Sequence, residues 1–379
     1  MSGTWDHWQQ GVVWRELVSY GLGCRLKVTP NKDFPSYAVN CTIYDGKVSS
    51  EPYSTNFPML DDAFRRLVNL DGVRGVTVHA ILTQVIEGQF VDEELVNRYD
   101  KLSVADRVAE CRKKNILSDR ELAYLVPWVE LSFGAKLADC SFLELIKWFQ
   151  HGNQSFFFLG SSLWVYKLMD GQSHLARSIF DEASSTGNLC YSFETVVSKV
   201  TDRHGHVEVA TSKGSFKVSR VVCTLPINVA NKVQFEPELS PLRREAFAAA
   251  HVSFGHKIHF GVAKPEINVA VIAFGATYMG EDTATQRDPT QIKKWLGRLH
   301  PEREENYVGS LWMPWSVDPY ANGTWAMFPP EYYTKYFKQL QKPHGNVLWA
   351  LADSADRWKS FIDGAIEQGM KAAYIIEKE

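Results

Sequence analysis

Apolar residues at Val12, Val13, Leu17 and Leu22 of WQQGVVWRELVSYGL recur at helical spacing, which predicts a helix within residues 1–25. A polar, turn-rich stretch follows to Pro58. Residues 59–150 then read as helical, beginning with MLDDAFRRLVNL. Three pairs have capping-box spacing: Ser103 with Asp106, Ser118 with Glu121, and Ser141 with Glu144. In such a box the serine oxygen accepts a backbone N–H from the first turn, and the acid accepts the serine's own N–H. Pro127, inside LAYLVPWVEL, predicts a kink or an end, because proline removes a helical donor and crowds the preceding turn.

The period changes to two over residues 190–225. LCYSFETVVSKV, HVEVATS and SFKVSRVVCTLP are β-rich and divided by HG and KGS turns, which predicts a small antiparallel meander. Ser240-Pro241 then opens a short helix, with serine as the cap and proline in the first turn. HKIHFGVA alternates like a strand. Residues 265–305 are less regular, with a polar lead and then a helix in DTATQRDPTQIKKWLGRL. Near the end, NVLWALAD reads as a short apolar strand leading into the helix SFIDGAIEQGMKAAYIIEK. Ser360 is placed to cap that helix and Asp363 lies in its first turn.

Composition narrows the class. The chain has 379 residues, 45% hydrophobic and 22% charged. That is globular, with a length that suits about two domains. The net charge of -3 lacks the basic footprint that nucleic acid or an anionic membrane requires, so neither is expected as a partner. Twelve tryptophans exceed what a core needs and point to flat pockets. The six cysteines are scattered without a C-x-x-C pair, as in a reduced, cytoplasmic chain. MSGTWDHWQQ is unlike a secretory leader, IIEKE is not a peroxisomal tail, and no apolar run reaches the roughly 20 residues of a membrane span.

Motifs for nucleotide chemistry are sparse. Gly21-Leu22-Gly23-Cys24-Arg25-Leu26 has two glycines of a G-x-G-x-x-G but follows a helix, so it reads as a helix C-cap turn. There is no P-loop and no G-x-S-x-G. In FGHKIHF, strand alternation puts Lys257 and His259 on one face and His256 on the other. A metal site would need a further ligand that the neighbouring sequence does not offer. Lys257 is therefore read as a lysine aimed into a cavity, against the ordinary alternative of a solvated strand edge. Asp353 falls just past an apolar strand and shortly before a helix N-terminus. Such a turn gathers free N–H groups and a positive dipole end, although it is common in α/β architecture.

Taken together, these segments resemble the flavin-containing amine oxidase family, most nearly the soluble fungal monoamine oxidases. GTWDHWQQGVVWREL is similar to the family's flavin-contacting GGTW segment and the helix after it. YKLMDGQSHLARSIFDEA, VVCTLPINV with the following F-E-P-x-L-S, GTWAMFPP and DRWKSFIDGAIEQGMKAA resemble later family motifs. The likeness runs from Ser2 to about Ile376. It implies a mixed α/β (α+β) fold: residues 1–55, 160–235 and 340–379 as a remnant, incomplete Rossmann-type FAD domain, and 56–159 with 236–339 as a substrate domain of helices on a sheet. By the same resemblance, Lys257 is the lysine that reaches the reactive flavin nitrogen through water. Trp325 and Phe361 are the two aromatics that sandwich the substrate amine. Ser2, Gly3, Thr4 and Trp5 lie along the flavin ring, Asp353 accepts a ribityl hydroxyl, and Val197 marks the adenine. Trp358, Ile362 and Ala365 belong to the cofactor-binding entry of the last helix. No cysteine occurs between Pro314 and Glu379, so FAD is expected to be held non-covalently. The implied partners are a small-molecule amine and a second copy in a homodimer.

Two departures stand beside the likeness. The family's strand–GxGxxG–helix unit, which should precede GTW, is not in the sequence, and the strands near Phe193–Val197 and Val347–Ala352 are expected to lose their shared neighbours. The run from Val262 to Ala273 looks shortened, as though a substrate-domain hairpin were absent. Three functions follow: a flavin amine oxidase making an imine with oxygen as acceptor, a non-redox isomerase or cyclase that uses Lys257 as a base without FAD, or an inactive truncated homologue.

Overall fold

A computed structural model describes residues 6–28, 39–44, 47–70, 72, 93–151, 155–156, 159, 165–203, 205–263, 269–276, 288–299 and 301–378. Helix α1 (Gly11–Ser19) buries Val13 and Leu17. Just beyond it, Gly21 has a φ of 68°, the left-handed value that ends a helix, and a 3-10 turn follows at Leu22–Arg25. The paired glycines of GLGCRL are thus a helix end. Strand β1 (Leu26–Val28) comes next. The polar, turn-rich stretch to Pro58 holds a hairpin that was not expected, β2 (Val39–Tyr44) and β3 (Lys47–Pro52), paired from Val39↔Pro52 to Tyr44↔Lys47. Asp45-Gly46 lies between them, a hairpin signal overshadowed by the polar residues around it. Helix α2 (Tyr53–Leu67) starts ahead of Pro58 and includes it.

Helices α3 (Glu93–Asp100), α4 (Val104–Lys113), α5 (Asp119–Phe133) and α6 (Phe142–His151) follow. The boxes at Ser103–Asp106 and Ser118–Glu121 both close reciprocally. The third pair does not. Ser141 donates its N–H to Phe328 O, a tertiary partner that takes the place expected of Glu144, while its Oγ accepts from Leu143 N and donates to Asp100 Oδ1. Of the kink or end expected at Pro127, the end does not occur: α5 runs through it. The proline is exposed while Leu125, Val129 and Phe133 are buried, so core burial on one face offsets the lost bond.

Strand β4 (Tyr166–Leu168) and helix α7 (Ser173–Ser185) lead to β5 (Val197–Arg203), β6 (His206–Thr211) and β7 (Gly214–Val218), the expected antiparallel meander. It begins at Val197, not Phe193. Phe193 is 69% exposed and packs only against Tyr191 and Phe180 among the ring contacts found. β8 (Val221–Cys223) leaves the meander, which corrects the reading of SFKVSRVVCTLP as one continuous part of it. Helix α8 (Ile227–Ala230), β9 (Gln234–Glu236), which joins β5 in parallel, and α9 (Pro241–Ala249) come next. Ser240 caps α9 as expected, accepting from Arg243 N.

Strands β10 (Gly255–Val262) and β11 (Val269–Ala276) pair antiparallel along their whole length, so the shortened run still closes a hairpin. Helices α10 (Pro289–Leu299) and α11 (Pro301–Glu304) precede β12 (Tyr307–Trp312), which lies on the other side of β10. After α12 (Tyr332–Gln341) comes β13 (Val347–Trp349), parallel to β8, and the chain reaches α13 (Ile362–Lys378).

The chain forms two compact units. The first comprises Met1–Ser2, Phe34–Trp148 and His251–Pro330; the second comprises Gly3–Asp33, Phe149–Ala250 and Glu331–Glu379. In the first, Ile258, Phe260 and Val262 of β10 bury one strand face against Ile292 and Leu296 of α10. In the second, Val13, Leu17, Leu22, Leu168 and Leu175 form a core on which Ile362 and Ile366 pack. Arg243 of that unit is 1% exposed. Its guanidinium donates to Gln339 O and Lys342 O at the end of α12 and lies 4.7 Å over the Trp349 ring. Burial lowers its pKa to about 10, so it stays charged at neutral pH, where the carbonyl end of α12 favours a cation.

Asp363 ties the first and last helices together. Its Oδ1 accepts the N–H groups of Val12 and Val13, both at 2.8 Å, so a residue in the first turn of α13 caps α1. Asp363→Ala is expected to cost about 2 kcal/mol, and Asp363→Asn, which keeps an acceptor oxygen, under about 1 kcal/mol, by urea denaturation. Equal losses for the two variants would show that the cap contributes nothing.

Candidate functional site

The segment Ser2, Gly3, Thr4 and Trp5 lies outside the described residues. The described chain resumes at Asp6, which bridges to Tyr166 in both directions: Asp6 N donates to Tyr166 O at 2.8 Å and Tyr166 N to Asp6 O at 3.2 Å. The exit of that segment is thereby pinned to β4. The Asp6 side chain is 2% exposed and accepts from Gln172 Nε2, while Gln172 Oε1 has no partner. Burial raises the Asp6 carboxyl above its ordinary value and the Gln172 bond only partly opposes it. His7 is buried beside it, its N–H donated to Gln10 Oε1, and burial lowers its imidazole.

The turn between β13 and α13, with the first turn of α13, collects five expected residues. Asp353, in a 3-10 turn at Ala352–Ser354, is buried; its Oδ2 accepts from Ile227 N at 3.1 Å and its Oδ1 from Ser360 Oγ at 3.0 Å. Ser360, expected to cap α13, donates its hydroxyl to Asp353 and has a φ of 66°. Trp358 is buried, stacks on His151 with centroids 4.1 Å apart, and donates Nε1 to Gln9 O at 3.3 Å. Phe361 meets Trp358 edge-on at 5.2 Å and is half-buried. Ile362 and Ala365 stand in the first turn of α13, where Ala365 N is the donor to Phe361 O. Val197 is on another sheet, at the start of β5 opposite Thr211.

The chemistry of this turn fits a flavin. A two-oxygen carboxylate accepting two short-range bonds retains lone pairs for a hydroxyl chain. The first N–H groups of a 17-residue helix favour an electron-rich ring end.

In the first unit, Lys257 and His259 share the half-buried face of β10, as alternation predicts, while His256, Ile258, Phe260 and Val262 line the buried face. His256 and His259 therefore point to opposite faces and do not form a shared ligand pair. Trp325 lies on the Lys257 face. A Cβ built on Gly255 would come within 2.6 Å of Trp325 Cη2, and positions 255 and 257 project to one side of a strand. The indole is further held by Nε1 donating to Ser132 O at 2.9 Å. Gly255, Thr324, Asp6 and Gln172 were not singled out from the sequence. The glycine two positions before Lys257 was the signal available for the first of them.

A family model described as flavin containing amine oxidoreductase matches residues 1–268 and 270–376. A pseudooxynicotine dehydrogenase from a Pseudomonas species is 26% identical over 397 residues, covering 99% of this chain and 76% of that protein. The nicotine dehydrogenase of Pseudomonas putida (strain DSM 28022 / S16) is 23% identical over 395 residues, covering 98% and 76%. A putative flavin-containing monoamine oxidase of Mycobacterium tuberculosis is 38% identical over 202 residues, 45% of this chain and 44% of that protein. Among solved structures, cyclohexylamine oxidase from Brevibacterium oxydans IH-35A superposes with a TM-score of 0.73 at 15% identity, covering 99% of this chain and 87% of that one. A putrescine oxidase does so at 0.75 and 15%, covering 100% and 88%. The mixed helix-and-sheet fold is thus that of these oxidases. No helix among the described residues is long and apolar enough to cross a membrane.

The Asp6–Gln172 pair makes a pH-dependent prediction. A carboxyl whose folded pKa is raised stabilises the fold below its unfolded value, and that contribution is lost as the pH rises through the folded value. Asp6→Asn removes the buried charge and offers an N–H to Gln172 Oε1. It is expected to gain on the order of 1 kcal/mol at pH 7.5, with the gap closing as the pH falls toward 4. Thermal unfolding at the two pH values checks this, and a variant clearly less stable than wild type at pH 7.5 would refute it.

Proposed function

Since the chain belongs to the flavin containing amine oxidoreductase family, with flavin-dependent amine oxidation as its activity and FAD as its cofactor, we propose that it dehydrogenates the C–N bond of a small amine to an imine, with oxygen as acceptor. The observation that carries the proposal is the placement of Lys257 and Trp325 on one face of β10, with the indole clamped at both edges.

In this reading Lys257 holds the water that positions and moves a proton beside the reacting C–N bond. Trp325 supplies an aromatic face for the amine, and Phe361 keeps the role of an aromatic that the family likeness gives it. Asp353 accepts a ribityl hydroxyl. Ile362 and Ala365 present the α13 N-terminus to the ring's electron-rich end, with Trp358 backing that turn. By the family likeness, the segment Ser2, Gly3, Thr4 and Trp5 would serve the flavin ring and Val197 the adenine. Bound FAD supplies the two-electron acceptor. With no cysteine between Pro314 and Glu379, attachment is non-covalent. The finer kinship with the soluble fungal members, a homodimer and a cytoplasmic setting belong to the same proposal; the first rests on motif likeness alone. The non-redox alternative is not favoured, because it gives no reason for the flavin-facing set to persist.

A second reading replaces oxygen with another electron acceptor. It is favoured by the two relatives matched over nearly the whole chain, both of which are named dehydrogenases.

The purified protein with added FAD is expected to show a flavin absorbance band that an amine bleaches without air. Suitable probes are n-butylamine, cyclohexylamine, putrescine and nicotine. Lys257→Met is expected to keep the band but to slow bleaching by on the order of 10²-fold. Readmitted oxygen restoring the band within turnovers supports the first acceptor, and restoration only by an added dye supports the second. Wild-type protein that binds no FAD, or a Lys257→Met variant that bleaches as fast as wild type, would defeat the proposal.

A further inference from the structure

Three segments of the first unit meet at one point: the end of α5, the start of β10 and the Thr324–Trp325 loop. Phe254 N donates to Gly134 O at 2.8 Å, Val252 N to Met327 O at 2.9 Å, and Thr324 N to Ser253 O at 3.1 Å. Thr324 Oγ1 accepts the Gly255 N–H at 3.0 Å and pairs with Ser253 Oγ at 2.8 Å. Gly134 ends α5 with a φ of 61°, and a Cβ there would come within 2.7 Å of Ser253 Oγ and 2.8 Å of Gly255 N. Two glycines therefore let backbone and ring approach where any side chain would collide.

The approach at Gly255 is against the indole itself. Its absent Cβ would stand 2.6 Å from Cη2, 3.1 Å from Cζ2 and 3.2 Å from Cζ3, so the six-membered edge of Trp325 rests on the strand. Gly255 is outside the left-handed region, so an alanine meets the ring and no backbone strain. The other end of the indole is fixed by the Nε1 bond to Ser132 O. To accept a methyl group at position 255, the ring must move outward from 2.6 Å to an ordinary 3.4 Å contact, on the face that bears Lys257.

We infer that Gly255 and Thr324 are positioning residues that set the plane of Trp325 over β10, and that position 255 thereby determines how bulky an amine the Lys257 face admits. The inference rests on the proposed amine oxidation and adds the size-determining position to it. The substituent at 255 acts only through the indole. Thr324 acts through its hydroxyl, so serine replaces it and valine does not.

The experiment compares n-butylamine with cyclohexylamine for wild type, Gly255→Ala, Trp325→Phe and the double variant, reading kcat/KM together with thermal midpoints. Gly255→Ala is expected to lower kcat/KM for cyclohexylamine about tenfold relative to n-butylamine, mainly through KM. In the Trp325→Phe background, which lacks the colliding ring atoms, the same change is expected to shift the ratio less than about threefold and to cost little stability. Thr324→Val should shift the ratio in the same direction, and Thr324→Ser should restore it. An unchanged ratio in Gly255→Ala that still oxidises both amines overturns the inference and leaves the amine oxidation standing. If wild type oxidises neither amine, the proposed function has failed, and the thermal cycle still decides whether Gly255 seats Trp325. Additive midpoints would overturn that as well.

Discussion

The Asp363 carboxylate accepts two N–H groups from the start of α1, across 350 residues of chain. Helix N-terminal donors must find partners, and a buried carboxylate must find donors, so each need meets the other. Burial raises the Asp363 carboxyl and the two backbone bonds oppose that rise. With α1 held there, the residues just before it are placed as well. Trp358, ahead of α13, donates to Gln9 O, and His7 and Gln10 close a turn on each other. The turn that carries Asp353 and Phe361 and the strand-like exit at Asp6 are thus parts of one hydrogen-bonded assembly. Side chains expected to serve a cofactor inherit their positions from this capping interaction.

The first unit meets the same problem with close approach in place of charge. Gly134 and Gly255 allow a helix end, a strand and an indole to converge within van der Waals distance. Around them, backbone donors find backbone or hydroxyl acceptors at 2.8–3.1 Å. A rigid surround of this kind suits an aromatic that must present a fixed face, since rotamer freedom lost in folding is not lost again on binding. Arg243 in the second unit shows a related solution: a buried cation is met by carbonyls at one end and by an aromatic face, with its Nε left without a hydrogen-bond partner among the described residues.

Local signals were legible where the partners lie close in sequence. The boxes at Ser103 and Ser118, the Ser240-Pro241 start, the Gly21 helix end and the β10 alternation depend on residues a few positions apart. Readings failed where a distant partner competed. Ser141 gave its N–H to Phe328 O. Of the kink or end open at Pro127, the end did not occur, because the buried face around it outweighed one lost bond. The β2–β3 hairpin was within reach, since the sequence has Asp45-Gly46 between its strands, but the stretch was read only as polar and turn-rich.

The sequence by itself determined the family likeness, the periodicity of most elements and the pairing of Lys257 with His259 on one strand face. All of these follow from residue order and backbone geometry alone. Only the tertiary structure decided that β8 leaves the meander for β13, that Asp363 also caps α1, and that Trp325 lies against Gly255. Each depends on groups far apart in the chain competing for the same donor, edge or space, and that competition is settled only when they are brought together.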